Sequence, residues 1–434
     1  MMCRFSLFVI GGIVQLSVTV ASAAQPLPDP LTLEQAMQFA DDADSYALID
    51  AQSSIEFSRS ELQRAESALG FRAQLELEAA YAEPSAITYI YDRSPNDSSA
   101  TLRLSKPIYD FGGSQKKIEA ASLEQQAWQA NLPYIVAQRK LSIARDFFEV
   151  ILADLKYVWD NEALAVAYVA YDAVQDRHAL NQISDLELMA SETAYLETLH
   201  ARNLSEAQQR QSRALLAETL NRPRQLPSNL QRPALSFVNQ PLPDYATIME
   251  KVAQNNPYIK LAEAKLLAAQ QRLEAEGRQM RPLLSAELAM SEYARERTSE
   301  DLRASLNLVV PLYESRSIKS AMARARSVWM KQRAEALNTK IQMRQQALQL
   351  WQRIDVLQKR YQQLLSTQAF SELSLDKSRA LYEMEVETDL GDSMIAISEI
   401  QYKRAQNEFE LVLSWMQLQL LMGETDLKFG DRNE

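Results

Sequence analysis

The second half of this chain repeats the first. Residues 104–109 (LSKPIY) recur as residues 308–313 (LVVPLY), an offset of 308 − 104 = 204, and Ser184-Asp185 recurs at the same offset as Thr388-Asp389. Each copy begins with a helical pattern, passes through two short segments of alternating polarity, and ends in a very long helical stretch. A small hairpin between long helices, present twice, is typical of a tunnel through a membrane rather than of a soluble enzyme.

The N-terminus has the order of a secretory signal. Arg4 precedes an apolar run that ends near Val20, and small residues follow at positions 21–23, so we expect residues 1–23 to be removed. The single cysteine, Cys3, lies in this segment, which leaves the mature chain without disulfides, thiol chemistry or a cysteine for a lipid anchor. Loss of Arg4 takes the net charge from −11 to −12, which argues against a nucleic-acid partner. We expect an exported, acidic protein of the periplasm, the outer membrane or the medium.

Proline and glycine, which interrupt helices, divide the remaining chain. Five prolines fall within residues 223–243, so this linker separates a first repeat, 24–222, from a second, 244–423, and a tail follows at 424–434. The first repeat should hold a helix, strands at about 73–83 and 99–108, and a helical hairpin at about 113–221. The second should hold a helix, strands at about 282–292 and 301–312, and a hairpin at about 314–422.

The long helical stretches carry the spacing of coiled coils. Apolar residues step by 3, 4, 3, 4 and 3 positions in both copies, and this period winds packed helices into a left-handed supercoil. We therefore expect each copy to end in a long antiparallel helical hairpin. The positions are Leu141, Ala144, Phe148, Ile151, Leu155 and Val158 in the first copy and Ala347, Leu350, Ile354, Leu357, Tyr361 and Leu364 in the second.

The four alternating segments are the candidate membrane strands. Each is about ten residues long, with one apolar and one polar or charged face, as a tilted barrel strand in a bilayer requires. A soluble hairpin that packs one face on a core is the alternative, but no globular remainder supplies such a core. Four strands are too few to close a barrel, because about eight is the known minimum and open edges are not tolerated in hydrocarbon. Several copies must pool their strands: two would make a barrel filled by side chains, and three a barrel of about twelve strands, wide enough to conduct.

The order of these motifs resembles that of the TolC-like outer-membrane factors over essentially the whole mature length. Matching pieces are residues 31–36 (LTLEQA) at the start and Asn255-Asn256-Pro257 at the opening of the second copy. The resemblance implies a mainly α-helical fold with four transmembrane strands per chain. It also implies a homotrimer in the outer-membrane lipid, with a shared twelve-stranded barrel on a periplasmic α-helical tunnel. Such a trimer docks with a periplasmic adaptor (membrane fusion) protein and an inner-membrane ABC or proton-driven transporter.

The most specific motif of the resemblance is the exit from the barrel. In the first copy it is Pro107-Ile-Tyr109-Asp-Phe-Gly112-Gly113, and we expect a turn there. Its counterpart keeps Pro311 and Tyr313 but lacks the glycines, so that turn should be stiffer or simply helical.

The resemblance places a gate where the long helices turn at the periplasmic end. Ser184 and Asp185 mark the helical tip of the first copy and Thr388 that of the second. Asp389 and Asp392 match the positions of aspartates that form rings at the closed entrance in the family, and three copies would bring six carboxylates together. In the alternative, Thr388 caps the returning helix and the two aspartates complement its dipole.

No pattern in the sequence indicates catalysis, a cofactor or a metal. His178 and His200 lie on predicted helices without an obvious partner, and no phosphate loop, nucleophile elbow or HExxH signature occurs. Two hypotheses remain. The first is a passive exit duct of a tripartite efflux or type I secretion machine, and the second is an exported coiled-coil scaffold or surface protein whose hairpins never enter lipid.

Overall fold

The fold was analysed in a computed structural model that describes residues 26–81, 83, 95–235, 240–278, 280–294, 301–313, 316–384 and 390–427. The signal segment lies outside these residues. In order, the elements are α1 (Leu33–Gln38), α2 (Tyr46–Ser67), β1 (Arg72–Glu78), β2 (Ser99–Tyr109), α3 (Gly113–Ala179), α4 (Asp185–Thr219), α5 (Tyr245–Asn255), α6 (Pro257–Glu276), β3 (Leu283–Tyr293), β4 (Leu302–Val309), α7 (Ser317–Glu383) and α8 (Gly391–Leu421). A short 3₁₀ helix, Phe39–Asp41, follows α1.

Two very long helices extend away from the sheet. α3 and α7 have 67 residues each, so each is about 100 Å long at 1.5 Å per residue. α3 is helical through Pro133. Among the described residues, no helix is apolar enough over a sufficient length to cross a membrane.

The shorter helices pack beside α3 and α7 in two four-helix layers. Near the sheet α3 contacts α2 and α6, and α6 contacts α7, which gives the order α2-α3-α6-α7. Farther from the sheet α3 contacts α4 and α8, and α8 contacts α7, which gives the order α4-α3-α8-α7. The first and last helices of each layer therefore have one open side in a single chain.

The hydrophobic core lies at the middle of the long helices, where the two layers meet. The stacked rings of Phe148 and Phe409 have centroids 4.3 Å apart there, and Trp415 is buried beside them. The helices α1 and α5 add Leu33 and Ile248 to the same core. Most positions of the predicted 3-4 spacing are buried in this region, because the hairpin helices pack through that seam.

Where the two layers meet, α6 of the layer near the sheet begins beside the end of α8, which belongs to the other layer. The buried Asn256 caps α6 by accepting from the backbone N–H of Ile259 (3.1 Å), and its amide donates to the carbonyl of Leu421 at the end of α8 (2.9 Å). Gly423, with φ +85°, ends α8 so close to Asn255 that a Cβ would lie 2.5 Å from its carbonyl oxygen. The side chain of Asn256 therefore links the end of α8 to the start of α6.

The corresponding junction in the first repeat is charged. Asp42, ahead of α2, accepts from the amide of Asn221 (3.3 Å) and the guanidinium of Arg222 (3.2 Å) at the end of α4. Partial burial raises the pKa of Asp42, but hydrogen bonds from Asp44 and Asn221 and the charge of Arg222 outweigh it and hold the pKa below its ordinary value.

The proline-rich linker crosses the outside of the second hairpin. The guanidinium of Arg232 lies 2.7 Å from the carboxylate of the buried Glu408 on α8. The indole of Trp351 donates to the carbonyl of Pro243 (3.0 Å), and the amide of Gln358 donates to that of Gln240 (2.7 Å), both from α7. The linker is thus bound to the two helices that it crosses.

The four described strands form one antiparallel sheet in the order β1-β2-β3-β4. The β2–β3 pairing joins the two repeats, and β1 and β4 are the edges. β1 ends at Glu78, earlier than the alternation predicts, because the Ala80 N–H bonds to the hydroxyl of Ser98 (3.3 Å) in place of a strand carbonyl. β4 likewise ends at Val309 rather than near residue 312.

Candidate functional site

The sheet separates apolar and polar side chains onto opposite faces across all four strands. Leu75, Leu102, Met290 and Leu302 lie in register as one continuous row, and the next row is Ala73, Leu104, Leu288 and Ala304. These leucines are exposed in the single chain, for example Leu302 at 60%. A face this apolar and this open requires an apolar environment to cover it.

The opposite face is hydrophilic and internally bonded. The guanidinium of Arg103 lies 3.8 Å from the carboxylate of Glu76 on one neighbouring strand and 3.4 Å from that of Glu287 on the other. The hydroxyls of Thr101 and Ser291 share a hydrogen bond of 3.1 Å across β2 and β3. This face suits water, as the lumen side of a membrane barrel does.

The exit turn of the first repeat is a tight, bonded structure that explains its glycines. Phe111 and Gly112 have φ of +56° and +83°. Asp110 accepts from the backbone N–H groups of Gly112 (3.1 Å) and Ser114 (2.5 Å). Burial raises the pKa of Asp110, but these hydrogen bonds outweigh it and hold the pKa below its ordinary value.

A residue of the second repeat, Arg278, packs against this turn and bonds to it. Arg278, after α6, donates to the carbonyl of Gly112 (3.0 Å), and a Cβ on Gly112 would lie 2.4 Å from that guanidinium. Pro107 and Tyr109 lie just before the turn, where the β2–β3 register shifts because proline has no N–H for the ladder. The half-exposed ring of Tyr109 stands 4.7 Å from that of Phe111.

The exit of the second repeat is not helical over its described residues 310–313, so the expectation of a simply helical turn is not met there, and the expectation of a stiffer turn stays a prediction. Pro311 and Tyr313 belong to neither strand nor helix, and α7 begins only at Ser317. Tyr313 is almost fully exposed, and residues 314–315 lie outside the described part of the chain.

At the tip of the first hairpin, Ser184 caps α4. Its hydroxyl accepts from the N–H of Glu187 (3.3 Å), and the Glu187 carboxylate accepts from the N–H of Ser184 (3.0 Å). Asp185 bonds to the imidazole of His178 across the turn (2.7 Å). The expectation that His178 has no partner is therefore wrong, because the turn brings the end of α3 back to the start of α4.

The tip of the second hairpin is described on one side only. Thr388 and Asp389 lie outside the described residues, and α8 begins at Gly391 with Leu390 as its N-cap and no side-chain cap. The alternative in which Thr388 caps this helix falls outside the described residues and stays a prediction. Asp392 is exposed in the first turn of α8.

The start of α8 is packed directly on α3. A Cβ on Gly391 would lie 2.6 Å from a methyl group of Val166, so only glycine allows this approach. Ser378 and Ser393 share a hydrogen bond of 2.8 Å, and Ser398 donates to Glu162 of α3. The second hairpin is therefore packed against and bonded to α3 near its tip.

The helices below the sheet enclose a concave space. One cavity of about 840 Å³ is lined by α2, α3, α6 and α7, all four helices of the layer near the sheet. A flat layer could not bring its first and last helices to one cavity, so the layer is curved. Charged side chains on this wall include Glu61, Arg64, Lys117, Arg272, Glu276 and Arg324. Among the described residues, no cluster of acidic, histidine or cysteine side chains could hold a metal ion.

No protein-family model matches the sequence, and no curated protein sequence does either. Solved structures do match. The Campylobacter jejuni CmeC outer membrane channel is 14% identical, with a TM-score of 0.73 over 92% of this chain and 87% of that one. The Neisseria gonorrhoeae MtrE outer membrane channel, solved in an open state, is 18% identical, with a TM-score of 0.70 over 92% and 91%. The Vibrio cholerae outer membrane protein VceC is 16% identical, with a TM-score of 0.68 over 90% and 96%.

The chain therefore has the fold of outer-membrane channel proteins. The match covers 90–92% of this chain and 87–96% of the three channel structures, so the likeness extends over most of the fold. The resemblance to TolC-like outer-membrane factors is confirmed at the level of the fold.

Proposed function

We propose that this protein is an outer-membrane exit duct assembled from three copies of the chain. The observation that carries the proposal is the sheet, which has one apolar face, one hydrophilic face and two unpaired edges in β1 and β4. In hydrocarbon every backbone group must be paired, so such a sheet is stable only when the edges of several copies meet. Three copies give twelve strands, enough for a water-filled lumen.

The helices below the sheet support the same assembly. Among described elements, α7 packs mainly on α5, α6 and α8, and it also carries the half-exposed residues Met330, Leu337 and Ile341. α2 at the other end of the layer exposes Ile49. In a closed ring, the α7 edge of one copy meets the α2 and α4 edge of the next.

The duct itself supplies no energy in this proposal. A periplasmic adaptor protein and an inner-membrane transporter, ABC or proton-driven, load it and open its periplasmic end. Asp389 and Asp392 at the second helical tip are the proposed gate carboxylates, and the exposure of Asp392 is consistent with a place on the entrance. The substrate crosses without chemical change, so the duct is not an enzyme.

The scaffold hypothesis is disfavoured by the sheet. A hairpin that stays in water would leave the apolar rows of this face uncovered across four strands, and aggregation would follow.

Cysteine crosslinking between the two edge strands tests the assembly. With the signal removed, the chain contains no native cysteine. We expect Gln74→Cys or Glu76→Cys on β1, paired with Arg303→Cys or Ser305→Cys on β4 of the same chain, to give disulfide-linked dimers and trimers in native membranes. Each single-cysteine variant is the matched control and should stay monomeric on the gel. Only monomers from every pair, in membranes, would overturn the proposal.

A further inference from the structure

One lysine interrupts the apolar face of the sheet. Lys106 lies in the row Lys106, Ala286 and Leu306, next to the row that contains Leu104 and Leu288. The only other charged residue on the described part of this face is Glu292, which stands at the opposite end, near the interstrand loops. At an offset of 204, the residue that matches Lys106 in the second repeat is Val310. The first repeat therefore carries a charged residue where the second repeat has an apolar one.

No carboxylate among the described residues lies within ion-pair distance of Lys106. Its half-buried side chain instead places Nζ 4.4 Å from the centre of the Phe71 ring, which is itself exposed. A cation is costly against hydrocarbon, and the cost falls toward the membrane surface. Lys106 is three residues from the end of β2 that leads to the helices, so it lies near that surface, where aromatic rings also concentrate.

A depression adjoins this lysine on the same face. It has a volume of about 490 Å³ and a mostly apolar lining that includes Phe71, Leu104, Lys106, Ala286, Leu288 and Leu306. The volume is in the range of small-molecule sites, about 300 to 1,000 Å³. A cation thus stands at the rim of an apolar depression, and the ligand that matches this arrangement has an anionic head and a hydrocarbon tail.

We propose that Phe71, Lys106 and this depression bind one anionic phospholipid of the leaflet on the helix side. The phosphate accepts from Lys106 Nζ, and an acyl chain lies along Leu104, Leu288 and Leu306. The inference rests on the proposed function, because only a membrane-embedded sheet presents this face to lipid. A zwitterionic lipid is a poorer ligand, since its own ammonium group competes with the lysine for the phosphate.

Native mass spectrometry of the purified trimer tests the site. We expect phosphatidylglycerol to remain bound at up to three molecules per trimer and phosphatidylcholine to be lost. Lys106→Val, the residue that the second repeat carries, should lower phosphatidylglycerol retention by about tenfold or more, as the loss of a charge-assisted hydrogen bond predicts. Lys106→Arg should retain the lipid, and Phe71→Leu should weaken it to a smaller extent.

Lys117→Gln is the matched control, because Lys117 lies on the concave wall beneath the sheet, 4.0 Å from Glu276. It should bind phosphatidylglycerol as the wild type does. Equal retention by the wild type and Lys106→Val, or equal retention of the two lipids by the wild type, would overturn the site while leaving the trimeric duct intact. A wild-type chain that never forms a membrane trimer would instead overturn the proposed function.

Discussion

At the scale of single residues, the exit turn of the first repeat depends on backbone conformations that few side chains allow. Gly112 has φ +83° and no room for a Cβ, because Arg278 already bonds to its carbonyl. The turn matters because it sets the direction in which α3 leaves the sheet.

Gly112→Ala should lower the free energy of unfolding by about 1 to 3 kcal/mol, the cost of a left-handed non-glycine residue. Gly277→Ala is the matched control, since φ there is negative and the added Cβ would make only ordinary contacts, 3.4 Å at the closest. The midpoint of thermal unfolding of the purified protein measures both. If the two variants melt alike, the turn is not held in this conformation.

The carboxylate of Asp110 makes the same turn sensitive to acid. Its pKa is lowered in the folded chain from an ordinary value of 3.8, so its hydrogen bonds stabilise the fold at and above that pH. The contribution should be constant from neutral pH to about pH 5 and should be lost as the pH falls through the folded pKa. In Asp110→Asn that acid-dependent part should be missing. Urea unfolding of both forms across pH 3 to 7 measures the difference, and parallel curves would contradict it.

The proposed gate carboxylates, Asp389 and Asp392, make a prediction that distinguishes a role in the pore from a role in stabilising the helix. At about 5 Å and an effective dielectric constant near 20, two carboxylates repel by about 3 kcal/mol before salt screening, so a ring of six should recruit cations. Replacing Asp389 and Asp392 together by alanine should weaken block by multivalent cations and change ion selectivity in planar bilayers, with trimer yield unchanged. A modest loss of stability, about 1 kcal/mol, with unaltered selectivity would mean that they only stabilise the helix.

At the scale of elements, α3 and α7 are continuous, whereas the shorter helices beside them meet end to end through side-chain hydrogen bonds, α8 with α6 and α4 with the segment before α2. Asn256→Ala removes a helix cap and leaves the carbonyl of Leu421 without its buried donor, so we expect a loss of about 2 kcal/mol. Asp244→Ala is the control: it caps the start of α5 in an exposed place through one bond to Ala246 (3.1 Å) and should cost about half as much or less. Equal losses of unfolding free energy in the two variants, measured by denaturant unfolding, would argue against a link between α8 and α6 through Asn256.

Much of this level follows from sequence periodicity. The alternating segments became strands and the 3-4 spacing became hairpin helices, because each period fixes which side chains share a face. Val158 shows the limit: it continues the spacing of Leu141 but is 48% exposed, since whether a seam is covered depends on where the partner helices lie. The bond between His178 and Asp185, and the role of Asn256 as a joint, depend equally on tertiary geometry that local pattern does not contain.

At the scale of the whole molecule, the proposed direction of the chain in the membrane follows from where the helices attach. α2, α3, α6 and α7 all adjoin one end of the sheet, so the loops between β1 and β2 and between β3 and β4 lie at the other end. An epitope tag inserted beside Asn96 should be labelled on intact cells. A tag in the linker, after Leu226, should be labelled only after the outer membrane is permeabilised. The reverse pattern would invert the proposed orientation.

The pairing of β2 with β3 has a consequence for symmetry. Because it makes the sheet continuous across the duplication, a ring of three chains contains six similar hairpins, as a ring of six half-length chains would. In such a hexamer every feature would occur six times. Duplication within one chain lets neighbouring hairpins differ: Lys106 alternates with Val310, and a glycine turn alternates with one that has none. The ring is therefore free to place a lipid, a turn or a gate at every second position, a distinction that no assembly of identical halves can make.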